Sequence, residues 1–228
     1  RDTKTLKLVD QFPTYGEKPH DCHLIENGTV MAITNAGGPI GDDTDQPSVT
    51  FVDIATRQLL EKIELDSHAF NTGHLAYSNG DLVVVSAPRE GFDNMSIGAV
   101  SIRKKNHKLI TMNNPQPITS TIFGEALSVA IEPIQRIAAV THPSGNLITF
   151  WSIENNSFLN AISLPHARGV VLSTDGRSFI ITYGKQASLM QVNVNSLLPI
   201  INSEIKNTYI SGSHLYNISR EKILLSLN

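Results

Sequence analysis

Four side chains able to bind metals or move protons follow one another at His20, Asp21, Cys22 and His23, while His74, His142 and His214 stand far apart along the chain. Imidazole suits zinc, copper or iron, and a cysteine beside a histidine is the pairing of a thiol nucleophile. Spacing limits both chemistries. Successive side chains of an extended strand point to opposite faces, so His20 and Cys22 share one face and Asp21 and His23 the other. At most two of the four can then serve one ion. No close-spaced ligand pair of the zinc-finger kind occurs, and a lone cysteine fits as a small buried apolar residue. The distant histidines matter only if the fold brings them together.

The elements that would do so can be read from turns and repeats. Pro19 to Gly38 places an Asn27-Gly28 turn between two apolar runs, the strongest short-range hairpin signal. Thr50-Phe51-Val52-Asp53-Ile54 through Ile63 aligns without gaps on Thr149-Phe150-Trp151-Ser152-Ile153 through Ile162, an offset of 99 residues. That offset is about two repeats of roughly 50. Looser copies run from Gly98 to Ile110 and from Ser188 to Ile201, and each pair of strands is preceded by another pair. Four strands per unit of roughly 40 to 55 residues predict an all-β fold of the β-propeller kind. The expected parts are a lone strand over 5–12, blades over about 19–65, 72–113, 125–164 and 168–203, and a half blade over 212–228. About four and a half blades cannot close a ring, so roughly two N-terminal blades are expected to complete it from outside this chain.

With 40% hydrophobic residues the 228-residue chain can bury a real core. A net charge of −3 with scattered basic residues disfavours nucleic acid. No apolar run reaches the ~18 residues of a membrane helix. Cys22, the single cysteine, can form no intrachain disulfide.

The ordered fragments resemble those of a bacterial family of exported proteins of unknown function. They are Pro19-His20-Asp21, Thr34-Asn35-Ala36-Gly37-Gly38, His74-Leu75-Ala76, Thr141-His142-Pro143-Ser144-Gly145 before Phe150-Trp151, and Ser213-His214-Leu215. That family's patterns are Gly-Pro-His-Glu-Leu, Ala-Asn-Gly-Gly, Arg-His-Leu-Ala, Ser-Pro-Arg-Gly with Val-Trp, and Asp-Asn-His-Leu. The resemblance implies a seven-bladed propeller related to YVTN and WD40-like repeats, a periplasmic address and an association with iron uptake. Gly73 replaces the family's arginine, Lys18 its glycine, and the arginine of Ser-Pro-Arg-Gly has no counterpart.

In a propeller the innermost strands line a central channel that opens onto a funnel. His20, Asp21, His23, Asn35, His74, His142 and His214 are therefore the funnel candidates, and His20, His74 and His214 would hold a divalent metal if one binds. The bland alternative makes these histidines hydrogen-bonded ties between loops. Asp42, Asp43 and Asp45 lack an EF-hand pattern and read as a solvated loop. The glycines of Asn35-Ala36-Gly37-Gly38 are expected to permit positive φ. No nucleophile elbow, HExxH or P-loop occurs. The function expected is a non-catalytic binding or scaffold protein with a protein or small-molecule partner; the alternative is a metal-dependent, lactonase-like hydrolase using the same histidines.

Overall fold

The computed structural model describes residues 1–38, 46–89, 97–208 and 212–217. Its strands form four antiparallel sheets, each a simple meander of consecutive strands. Sheet one holds β1 (Pro19–Ile25), β2 (Val30–Asn35), β3 (Ser48–Asp53) and β4 (Leu59–Glu64). Sheet two holds β5 (His74–Ser78), β6 (Asp81–Ser86), β7 (Ala99–Arg103) and β8 (Ile110–Thr111). Sheet three holds β9 (Val129–Glu132), β10 (Ile137–His142), β11 (Leu147–Ser152) and β12 (Ser157–Ser163). Sheet four has three strands, β13 (Val170–Leu172), β14 (Ser178–Tyr183) and β15 (Ser188–Asn193).

Three apolar cores lie between consecutive sheets. Leu82 and Val84 pack with Ala32, Val49 and Phe51 of sheet one, while Val83 and Val85, on the other face of β6, pack with Ala138, Val140 and Trp151 of sheet three. Ile137, Ala139 and Phe150 then face Phe179, Ile181 and Val192 of sheet four. Middle strands buried on both faces read as unbroken apolar runs, which is why β6 is Leu-Val-Val-Val. The first strands lie side by side, β1 against β5, β5 against β9 and β9 against β13.

A recurrent threonine joins neighbouring sheets. The backbone N–H groups of Asp21, Ser128 and Gly169 donate to the hydroxyls of Thr34, Thr141 and Thr182 at 2.9, 3.1 and 2.9 Å. Each hydroxyl donates onward to a carbonyl in the next unit: Gly73, Arg168 and Gly212. Sheet two has Ser86 in this place, and its hydroxyl has no partner. Thr141→Val keeps the shape but leaves two polar backbone groups without these bonds. Urea unfolding is expected to show a loss of about 1–2 kcal/mol with the m-value unchanged.

Several expectations need correction. Residues 5–12 form no strand: Asp2 and Leu6 close a turn, Leu6 has φ 57°, and Leu6, Leu8 and Val9 are exposed. The alternation there has no neighbouring edge to pair with. The outer strand expected near 198–201 reduces to isolated bridges, Val192 with Pro199 and Leu189 with Ile205. Proline supplies no N–H for a ladder, and Asn202 turns the chain at φ 63° between the bridges. A short helix, Gln116–Thr119, was not foreseen. Of the half blade expected over 212–228, residues 213–216 are not strand, and Ile223 to Leu225 lie outside the described residues. Asp42, Asp43 and Asp45 also lie outside them.

Candidate functional site

Cys22 pairs with Ile33, His74 with Val85, Val129 with Val140 and Val170 with Ile181, so the first member of each pair occupies one place in its sheet. All four line a single cavity of about 590 Å³, together with His214 from the segment after sheet four. The Thr182–Gly212 bond puts that segment where the Thr34–Gly73 bond puts the start of β5. The rings of His74 and His214 touch there, with centroids 3.9 Å apart.

The expected separation of His20 from Asp21 does not hold. Pro19 pairs with Asn35 and Asp21 with Thr34, so the register slips by one residue at His20. A bulge of this kind re-aims side chains. As a result the His20 ring meets the His74 ring edge-on at 4.7 Å, while Asp21 also reaches His74. Asp21 Oδ2 lies 3.1 Å from His23 Nε2, 3.3 Å from His74 Nδ1 and 3.3 Å from the N–H of Leu75. Its Oδ1 accepts the N–H of Cys22 at 2.9 Å. Burial alone would raise the Asp21 pKa, but hydrogen bonds from His23 and His74, the charge of His23 and the Leu75 N–H together hold it well below the usual carboxylate range. Burial lowers the His214 pKa, and the charges of His74, His20 and Arg168 lower it further, against the opposing pull of Asp21.

An ionised Asp21 accepts, so each imidazole donates the nitrogen facing it. The other nitrogens, His23 Nδ1 and His74 Nε2, are left free to meet a ligand. The rings are gathered but not arranged as a ligand set: among the described residues no group of three or more His, Cys, Asp or Glu is placed to hold a metal ion. Cys22, expected to be buried, is an exposed free thiol on the cavity wall.

Three funnel candidates are not on that wall: His20, which meets it through the His74 ring, and two buried residues. His142 is fully buried, with Nε2 2.8 Å from the Thr149 hydroxyl, which also accepts the Trp151 indole N–H at 2.7 Å. Asn35 is buried too, its amide donating to Thr50 at 3.1 Å. Both close the end of a second strand onto a threonine of the third; neither lines the cavity. Gly37 does need its freedom, at φ 85° with Pro47 packed close against it.

Sequence reasoning missed Arg168, which runs into β13 two residues before the cavity-lining Val170. Its guanidinium contacts His166 Nε2 at 3.3 Å and donates to the Ser213 hydroxyl, while its Nε is buried without a partner. Its place in the fourth unit, matching that of His20 in the first, is the signal that would have found it.

Comparison with curated proteins finds no match. The family model described as protein of unknown function (DUF1513) matches residues 1–200. Covering most of the chain, that match places this protein in the DUF1513 family.

Proposed function

We propose that the chain is part of a β-propeller binding protein whose channel cavity takes a small ligand against the Asp21–His23–His74–His214 wall. One observation carries this: corresponding first-strand positions from successive units converge on one cavity, and an oriented carboxylate–imidazole cluster forms part of its lining. Apolar walls with a few fixed polar groups are the usual make-up of a small-molecule site. Side-by-side first strands and cores between consecutive sheets support the propeller reading. The motif resemblance extends the proposal to a periplasmic address. A metal-assisted hydrolase would call for about three protein ligands on one ion, a set not assembled among the described residues.

Cys22 provides the test. A fragment that enters the cavity is expected to slow alkylation of Cys22 and to shift the ring resonances of His74 and His214, and His74→Ala is expected to weaken its binding. A fragment library that leaves both the alkylation rate and those resonances unchanged would overturn the proposal.

A further inference from the structure

Resting on that cavity, we infer that its ligand is a small amphipathic acid, with a carboxylate or phosphate group held by Arg168. Residue 168 continues the ladder of sheet four, its N–H donating to the Thr182 carbonyl at 2.9 Å. The Thr182 N–H donates to the Gly169 carbonyl, so residues 168 and 169 both face Thr182 and the chain bulges there; the bond to Ser213, the residue before the cavity-lining His214, is what brings the Arg168 guanidinium to the cavity. The guanidinium is half-buried, and among the described residues its Nη groups meet His166 and Ser213, neither of them a carboxylate. Nε is buried and unpartnered, and among the described residues no carboxylate pairs with this side chain.

Among the described residues Asp21 is the only carboxylate lining the cavity, and its oxygens are already occupied by His23, His74 and the N–H groups of Cys22 and Leu75. Among the described residues the positive charge at this end of the cavity thus has no counter-ion. Burying such a charge unpaired is costly, and an arriving anion removes that cost. His166 and Ser213 steady the planar fork, the geometry that suits carboxylate and phosphate. His214 follows Ser213 directly and carries the wall towards His74. Val129, Val170 and Leu215 supply the apolar surface for the rest of the molecule.

The experiment titrates the whole chain with four probes sharing a six-carbon body: hexanoate, hexyl phosphate, hexylammonium and hexanol. Tighter binding of hexanoate or hexyl phosphate than of hexanol by about tenfold or more, abolished in Arg168→Gln and partly kept in Arg168→Lys, is the result expected. The better of the two anions identifies the headgroup. Hexylammonium as the tightest probe, or equal binding of all four, would overturn the anion assignment while leaving the cavity intact. If no probe binds and none slows Cys22 alkylation, the cavity reading fails with it. Should Arg168→Gln not fold, the wild-type ranking of the four probes decides alone.

Discussion

Folding stability is expected to fall steadily as the pH drops from 6.5, by about 1.4 kcal/mol per pH unit, and His142→Asn is expected to flatten most of that slope. His142 is fully buried between β10 and β11, and burial pushes its pKa down to about 3. The Thr149 hydroxyl accepts the Trp151 N–H and lies 2.8 Å from His142 Nε2, where the ring's tautomer decides which of the two donates. Protonating the ring would bury a cation that no carboxylate among the described residues is paired with. The folded pKa lies below the unfolded value near 6.5, so the unfolded chain binds more protons below that pH. The contribution is complete above pH 6.5 and is lost as the pH falls towards 3, amounting to roughly 4–5 kcal/mol over the whole interval. Asp21, also depressed, begins to act only below about pH 4, where an unfolded carboxylate protonates. Between pH 6.5 and 4.5 His142 dominates, and His214 works in the same direction from a more exposed place. Asparagine is the apt replacement because Asn35 fills the matching place in sheet one and donates to Thr50. His142→Asn should therefore begin less stable at pH 7 yet change little with pH, whereas His214→Gln should keep the steep slope. Urea unfolding at half-unit pH steps reads all three; an unchanged slope in His142→Asn would remove the histidine from the explanation.

The same pair of residues explains what the sequence made legible and what it hid. Thr50-Phe51 and Thr149-Phe150 recur because third strands are buried on both faces and permit few substitutions, so the sheets could be read from repetition. The loops between second and third strands differ in length, and this concealed the correspondence of Asn35 with His142. Both are polar residues at strand ends, which in the sequence look like a rim, yet each is a buried partner of a threonine. The bulge at His20 was hidden because Pro19 beside it reads equally well as the first residue of a strand, another place where proline is tolerated. Arg168 was missed for another reason: its partner Ser213 lies 45 residues further on, in a segment that reads as strand in the sequence and is not strand in the structure. Pro199, by contrast, marked the failure of the outer strand in plain view.

Asp21→Asn is expected to disorder the wall of the cavity and to cost about 2–4 kcal/mol of stability. Both carboxylate oxygens of Asp21 accept: Oδ1 from the Cys22 N–H, and Oδ2 from the Leu75 N–H, with His23 and His74 turned towards it. An amide has one accepting oxygen. If that oxygen takes the place of Oδ2, the new NH₂ group faces the Cys22 N–H; in the opposite orientation it faces the donors that met Oδ2. Either way a donor in a mostly buried place is left against another donor, since only 21% of the Asp21 side chain is exposed. The imidazoles would lose the group that selects their tautomers. In wild type, nitrogen NMR of the histidine rings should show His23 bearing its proton on Nε2 and His74 on Nδ1, as the two contacts with Asp21 require. In Asp21→Asn those signals should move towards tautomer mixtures, while His142, buried in another sheet, should keep its shifts. A uniform change in every histidine would point to general unfolding, and wild-type tautomers in the variant would show that Asp21 does not orient the cluster. Loss of tautomer selection with His142 unchanged would establish Asp21 as the positioning residue on which the ligand-facing nitrogens depend.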